Sequence, residues 1–403
     1  MKLSIRKKLL GLTFFATVVP LLVVAGVIGF VVAKKTYEDS INRITTYSNI
    51  ANKVYKYRME EIKKNLEELG VLTLQFKYID VLKGNAQNQA QNVPFTTKEV
   101  ENVFSIFKTK NNLDFLDLVD GSGKIIYRVN NPSKSGESIV SMEPSIGGKA
   151  FSSKKVIYGT IKLARDFISF EKLDDFLNLG FGKTVDSALC IEVAVPIVYK
   201  NKIYGMLLGG DILNKDTSLV DGFKDMVFKK DFKSGAATIY MDDISIASSR
   251  AGKLGRALGV KLPSKIYSAL KETGEPFIGP ETINGVDFIS EYIPIKDSDN
   301  RMVGVYAVNV EQGWFKKMEV YLRNVILIVI GLAILFALIL TFFLATKFTK
   351  PIEELRDAAN KISLGDMDVK ISIKTGDELE SLSNSLERMR LSLKAAIERL
   401  RKR

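Results

Sequence analysis

The chain has 403 residues, 46% of them hydrophobic, with 58 Lys and Arg against 46 Asp and Glu and a formal net charge of +12. It holds no histidine, which excludes a phospho-accepting His, an imidazole base and a His-ligated metal; its one cysteine, Cys190, permits neither an internal disulfide nor a thiolate cluster. No Walker loop or Gly-rich dinucleotide fingerprint occurs, and no set of carboxylates, lysines and serines stands out as catalytic, so a non-enzyme without cofactor or metal is expected.

Behind a basic stretch at residues 1–9 (Lys2, Arg6, Lys7, Lys8), residues 10–33 carry no charge and are long enough to cross a roughly 30 Å hydrocarbon core as a helix. A cleaved signal peptide shares the basic start. The apolar run is long for such a leader, however, and Val31-Val32-Ala33-Lys34-Lys35 is a weak cleavage pattern, so an uncleaved anchor is expected. Pro20 is tolerable within a span. A second span is assigned to residues 323–345, where Val325 to Ala345 is charge-free. The basic residues beside the spans place both termini in the cytoplasm and residues 34–322 in the periplasm or outside the cell, on a two-pass inner (plasma) membrane protein. Base-contacting signatures are missing, so the positive charge is assigned to solvated surfaces and juxtamembrane anchors rather than to nucleic acid.

Between the spans, residues 36–83 read as one long helix, with Ile41, Ile44, Ala51, Val54, Ile62, Leu66 and Leu69 near helical spacing. Such a helix can serve as a stalk and dimer contact, or pack on a sheet; the two are compatible. The polar stretch Gly84 to Asn92 reads as a loop. Two similar units follow, at 95–213 and 214–312. Each opens with a hairpin: Phe115 to Tyr127 around Asp120-Gly121, and Ala236 to Ile246 around Asp242-Asp243. Each then turns helical and closes with a second hairpin, in which Pro196 precedes Gly205 and Pro294 precedes Gly304 at similar separation. Proline suits a strand end or edge. Two antiparallel sheets, each with helices on a face, are expected.

The order of strand, Asp-Gly turn, helices, Pro-Ile and Gly-apolar strand, used twice after a membrane-emergent helix, resembles the double Cache (PAS-like) sensors of bacterial chemoreceptors and sensor kinases. Gly255-Arg256-Ala257-Leu258-Gly259, Gly274-Glu275-Pro276-Phe277-Ile278-Gly279 and Tyr292-Ile293-Pro294-Ile295 make the second unit the closer match. The resemblance covers about residues 36–312. It implies a small-molecule pocket in one PAS-like unit, commonly the membrane-distal one.

The candidate ligand-binding residues in the first unit are Tyr127, Arg128, Tyr158, Arg165, Asp166 and Asp186. Either arginine could fork onto a carboxylate, which makes a carboxylate one ligand class to consider; taken singly, each reads more readily as a surface residue paired with a nearby acid. Arg128 is followed by Val129-Asn130-Asn131, which departs from the amino-acid-binding pattern of the resembled family. Arg250, Arg256 and Tyr292 in the second unit read as structural, and Cys190 as a buried, inert thiol.

After the second span, Pro351-Ile352-Glu353-Glu354-Leu355 opens a helix with Ile352, Leu355, Ala359 and Ile362 in a 3-4-3 stripe. Gly365-Asp366 ends it, Met367, Val369, Ile371 and Ile373 alternate, and Asp377-Glu378 opens a second helix with Leu379, Leu382, Leu386, Met389 and Leu393 on one face. Two such helices cannot bury their stripes alone, whereas two chains can, as a parallel four-helix bundle in a homodimer. Residues 346–400 resemble a HAMP relay domain, with Pro351 and Glu378 as relay residues and Glu380 where a glycine is common. The basic tail 401–403 could meet the inner leaflet or an acidic partner, and no output module is visible behind it. The expectation is therefore a signal-transduction receptor, as in chemotaxis, that binds a small ligand outside and relays through HAMP to a cytoplasmic kinase or adaptor in trans. A non-signalling membrane scaffold and a truncated chemoreceptor or sensor-kinase input half are the alternatives.

Overall fold

The computed structural model describes residues 5–84, 96–141, 145–228, 235–252, 255–283 and 285–401. The chain divides into two units, Glu38–Trp314 and the remainder (Met1–Tyr37 with Phe315–Arg403).

In the first of these, the spine is the part of helix α1 (Ile5–Gln75) from Glu38 onward; the first apolar run and Pro20 lie in the part of the same helix that belongs to the other unit. Its Ile44, Ala51, Ile62, Leu66 and Leu69 are fully buried, as their spacing predicts. The helix ends sooner than expected. Lys77 takes a left-handed conformation (φ 52°), and a short α2 (Tyr78–Leu82) continues at a new angle with Phe76 stacked on Tyr78. The expected loop beyond Gly84 lies outside the described residues up to Pro94 and Phe95. Helix α3 (Thr97–Lys110) starts on a capping box in which Thr96 accepts from the Glu99 N–H and Glu99 accepts from the Thr96 N–H.

Two five-stranded antiparallel sheets follow. The first contains β1 (Phe115–Asp120), β2 (Ile125–Arg128), β3 (Ile157–Ala164), β4 (Ser187–Tyr199) and β5 (Lys202–Ile212), in the order β2-β1-β5-β4-β3. The second contains β6 (Gly235–Met241), β7 (Ile244–Ser248), β8 (Phe277–Ile283), β9 (Val286–Lys296) and β10 (Met302–Glu311), in the order β8-β9-β10-β6-β7. Read from the opening hairpin, the orders are the same, so the repeat seen in the sequence is a repeat of topology. The two prolines explain themselves. Pro196 pairs with Met206 but lies beyond the end of β3, and Pro294 pairs with Val305 but lies beyond the end of β8, so neither missing N–H interrupts a ladder. Gly205 and Gly304 occupy matching places too: a Cβ at either would stand 2.5 Å from a carbonyl oxygen of the neighbouring strand, Val119 O or Tyr240 O.

One core runs between α1 and the facing sides of both sheets; it includes Leu66, Leu116, Val193, Leu207, Ile239 and Val308. On the far side of the first sheet a second core is closed by α4 (Ile146–Ser153) and α5 (Arg165–Phe170). On the far side of the second sheet, α7 (Ser264–Thr273) closes a third, around Leu270 and Tyr292. Helix α6 (Ser218–Phe228) joins the two sheets in sequence and buries Val220 and Phe223.

The other unit contains α8 (Gly313–Leu344), a π turn (Ala345–Thr349), α9 (Lys350–Ser363) and α10 (Glu378–Arg401). Among the described residues two helical stretches, one in α1 and one in α8, are long and apolar enough to cross a membrane, with mean hydropathy 2.6 and 3.2. Their large apolar side chains stand exposed, Phe30 at 70% and Phe342 at 66%, a surface suited to hydrocarbon rather than water. Helix α9 ends in a Schellman motif: the Asp366 N–H donates to Lys361 O, the Gly365 N–H donates to Ile362 O, and Gly365 supplies the positive φ. Beyond it Met367, Ile371 and Ile373 turn inward onto Leu355, Ile362 and Leu386.

Candidate functional site

The strand-end arginine of the first unit is enclosed. Arg128 and Asp117 stand opposite each other on β2 and β1, and the guanidinium pairs with Asp117 at 3.0 Å, with Glu171 at the end of α5, and with Glu137 at 3.5 Å. Arg128, Asp117 and Glu171 are fully buried. The rings of Phe167 and Phe170 lie 5.5 and 5.9 Å from the guanidinium carbon. Burial, then the adjacent Glu171, pushes the Asp117 carboxyl well up; burial also raises Glu171 against the pull of Arg128. The cluster therefore answers its one cation with its own acids.

The other predicted residues do not gather around it. Tyr127 faces the α1 side, edge-on to Phe104 at 6.1 Å, and burial pushes its phenol up to about 12. Arg165 and Asp186 form an exposed ion pair at 2.7 Å, and Asp166 is exposed on α5. Tyr158 donates to Glu60 on α1 and lies under the Lys63 ammonium. In the second unit Arg256 bridges Asp221 and Ser248 O, and Tyr292 donates to Glu281, both structural contacts.

Of the six, Tyr158 lines a cleft of about 410 Å³ where α1 meets the edge strand β3 and strands β9 and β10. Asn52, Tyr55, Lys56 and Met59 reach it from α1, at the i, i+3, i+4, i+7 positions of one helix face. Thr160, Ile293, Pro294, Ile295 and Tyr306 close it from the sheets. The Tyr55 and Thr160 hydroxyls share a hydrogen bond of 2.5 Å, and the Tyr55 and Tyr306 rings meet edge-on at 6.3 Å. Tyr306, only 4% exposed, has no hydrogen-bond partner for its hydroxyl among the described residues. Burial, then the Tyr55 hydroxyl, raises its pKa, which keeps it a neutral O–H donor.

Besides Asp117, two more buried acids of the first sheet, Glu192 and Asp211, and the half-buried Asp114 just before β1 were not foreseen. Glu192, on β4 beneath α4, accepts from the Gly147 N–H, and burial pushes its carboxyl up to about 8. Asp211 accepts from Arg58 Nε at 2.7 Å, yet burial outweighs that partner and holds it at about 7. Asp114 accepts from the Ile212 N–H and is raised to about 6, again by burial first. Glu192 had a signal, as the one charge between Ala188 and Val198. Asp211 and Asp114 sit at strand ends and had none. Cys190 is buried and free.

In the relay region Pro351 is the second residue of α9 but does not open a new helix as expected: α8, the π turn Ala345–Thr349 and α9 follow one another without a break, and the π turn lies directly before the proline. Glu378 is the first residue of α10, but the capping oxygen belongs to Asp377, which accepts from the Leu379 N–H at 3.0 Å. Glu380, where a glycine was expected, accepts from the Gly376 N–H and so closes the turn rather than disturbing it.

Comparison with known proteins agrees with this layout. The family model "Single cache domain 3" matches residues 211–320, and the HAMP domain model matches residues 343–395. The chain thus carries a Cache-type sensor unit followed by a HAMP domain. A stretch of 108 residues is 32% identical to the sensor protein SrrB of Staphylococcus aureus, covering 26% of this chain and 18% of that one. Among solved structures, the sensory domain of the Campylobacter jejuni chemoreceptor Tlp3 overlaps 69% of this chain and 96% of its own (12% identity, TM-score 0.42). The sensor domain of the histidine kinase DctB of V. cholerae overlaps 68% and 98% (10% identity, TM-score 0.34).

Proposed function

We propose that the chain is a dimeric transmembrane receptor: a small ligand binds the extracytoplasmic unit, and the HAMP domain passes the resulting shift to a cytoplasmic signalling partner. The observation that carries this reading is the order of parts, an α+β Cache-type unit between two apolar helices with a HAMP domain directly behind the second. The matched sheet orders, prolines and glycines support treating both halves as Cache units in tandem. The dimer and its parallel four-helix bundle are supported by α10, whose Leu382, Met389 and Leu393 stay exposed along one stripe that a second copy would bury. A shift of a few kcal/mol in differential affinity is enough to reset such a two-state relay. The reading assigns no catalytic step to these residues and no nucleic-acid contact.

The ligand role expected of the six residues divides by environment. Tyr158 stays a candidate at the cleft, whereas Arg128 with Tyr127, and Arg165 with Asp166 and Asp186, are better suited to holding the first unit together. Impermeant-maleimide labelling of intact cells tests the topology. Phe181→Cys and Leu364→Cys both place a thiol at an exposed position, and the buried Cys190 stays silent. Labelling at 181 in intact cells and at 364 only after lysis is expected; the reverse pattern, or equal labelling, rejects the arrangement.

A further inference from the structure

We propose that the cleft between α1, β3 and strands β9 and β10 binds a small organic monoanion with an apolar body; the proposal rests on the receptor reading above and supplies its ligand class. The site is separate from the Arg128 cluster, whose one cation already has three acids, Asp117, Glu137 and Glu171, within ion-pair distance. Its volume of about 410 Å³ falls in the range of small-molecule sites.

The charge at the cleft follows from which groups are already engaged. Glu60 is occupied by the Tyr158 hydroxyl and the Lys63 ammonium. The Asp297 carboxylate is taken up inside its own turn by the N–H groups of Asp299 and Arg301 and by Arg301 Nε. Lys296 directs its ammonium toward Gly274 at the end of α7, where a Cβ would stand 3.2 Å from it. Lys56 and Lys296 are both exposed and without an ion pair among the described residues; with Lys296 turned toward Gly274, Lys56 is the free cation on the α1 wall of the cleft. Asn52, one helical turn before it on the same face, offers an amide donor beside it.

The floor sets the rest of the ligand. Met59, Ile293, Ile295 and the Tyr55 ring provide an apolar wall. The Tyr306 hydroxyl is a buried donor that nothing in the described chain satisfies, and such a group is destabilising until an acceptor arrives. A carboxylate at Lys56 and Asn52, an apolar body along the wall, and an acceptor at Tyr306 together use these three donors and the apolar floor. An occupant would touch α1 and both sheets at once, so it would bias how that helix packs on them.

The test uses the full chain in nanodiscs with 4-methoxybenzoate, 4-methoxyphenylacetate and 4-oxopentanoate as probes, each with an acceptor oxygen at the end away from the carboxylate, and 4-methoxybenzamide and 4-methoxybenzylamine as uncharged and cationic counterparts. At least one carboxylate is expected to raise the melting temperature saturably while both counterparts leave it unchanged. Lys56→Gln should weaken that binding about tenfold or more, the share of one charge-assisted hydrogen bond. Tyr306→Phe should weaken it severalfold while raising the melting temperature of the free protein, because it removes an unpaired buried hydroxyl. No saturable shift with any of the three carboxylates, or binding indifferent to both substitutions, overturns the proposal. The receptor reading fails separately: a carboxylate that binds through Lys56 yet leaves the α10–α10 spacing unaltered rejects the relay and keeps the cleft. A compound that moves α10 but ignores both substitutions rejects the cleft and keeps the relay.

Discussion

Replacing Glu192 by Gln isolates the cost of one buried acid. Glu192 is 4% exposed, its neighbours across β3 and β5 are Gly159 and Gly210, and its hydrogen bond comes from the Gly147 N–H. Its ordinary value of 4.5 is pushed to about 8 by burial. A group whose folded pKa is raised holds its proton more tightly in the native state. Its contribution is therefore fully present below about pH 4.5 and is lost as pH rises toward 8. At about 1.36 kcal/mol per unit, full ionisation costs on the order of 5 kcal/mol. Gln keeps the shape and can keep the acceptor, but cannot ionise. Melting curves of the full chain between pH 5 and pH 8 should show wild type losing stability more steeply than Glu192→Gln, with the gap widening toward pH 8. Asp211 and Asp114, raised to about 7 and about 6, add a slope of the same sign that both proteins share. Parallel curves across that range would refute the assignment of a buried, protonated carboxyl at this place.

Three further outcomes follow from the same geometry. Arg128→Met strands Asp117 and Glu171 in the core and should cost about 3–5 kcal/mol in denaturant unfolding, with part recovered on adding Glu171→Gln; an unchanged midpoint would contradict the enclosed cluster. Asp377→Ala removes the oxygen that caps α10 and should cost about 1 kcal/mol in helix stability, read as lost helical ellipticity on heating. Met389→Cys should form an intermolecular disulfide in membranes under mild oxidation, and failure to crosslink there and at Leu382→Cys would count against the bundle.

The hairpins were legible because period-2 alternation and short polar turns are local signals; Lys200-Asn201, both at positive φ, makes the tight link between β4 and β5 that the sequence suggests. The relay was legible for a similar reason, since the stripes of α9 and α10 and the Gly365-Asp366 stop lie within one short segment. The break at Lys77 was not. Nothing in Leu74-Gln75-Phe76 forbids helix, and the turn is fixed by stacking Phe76 on Tyr78 in the folded unit. The cleft was out of reach because Tyr55, Thr160 and Tyr306 are far apart in the chain, and only the meeting of two sheets on α1 brings them together. Arg128 shows a middle case: its hairpin register put Asp117 opposite it, but Glu171 arrives only when α5 packs down.

The central claim, that the outer unit drives the inner relay, is tested most directly by spin-label distances between α10 helices in nanodiscs. The label is placed at Met389→Cys, and distances are read before and after saturation with whichever carboxylate stabilises the chain. A shifted distance distribution that returns to the ligand-free one in Lys56→Gln is the predicted result. A distribution unchanged at saturation would contradict the account.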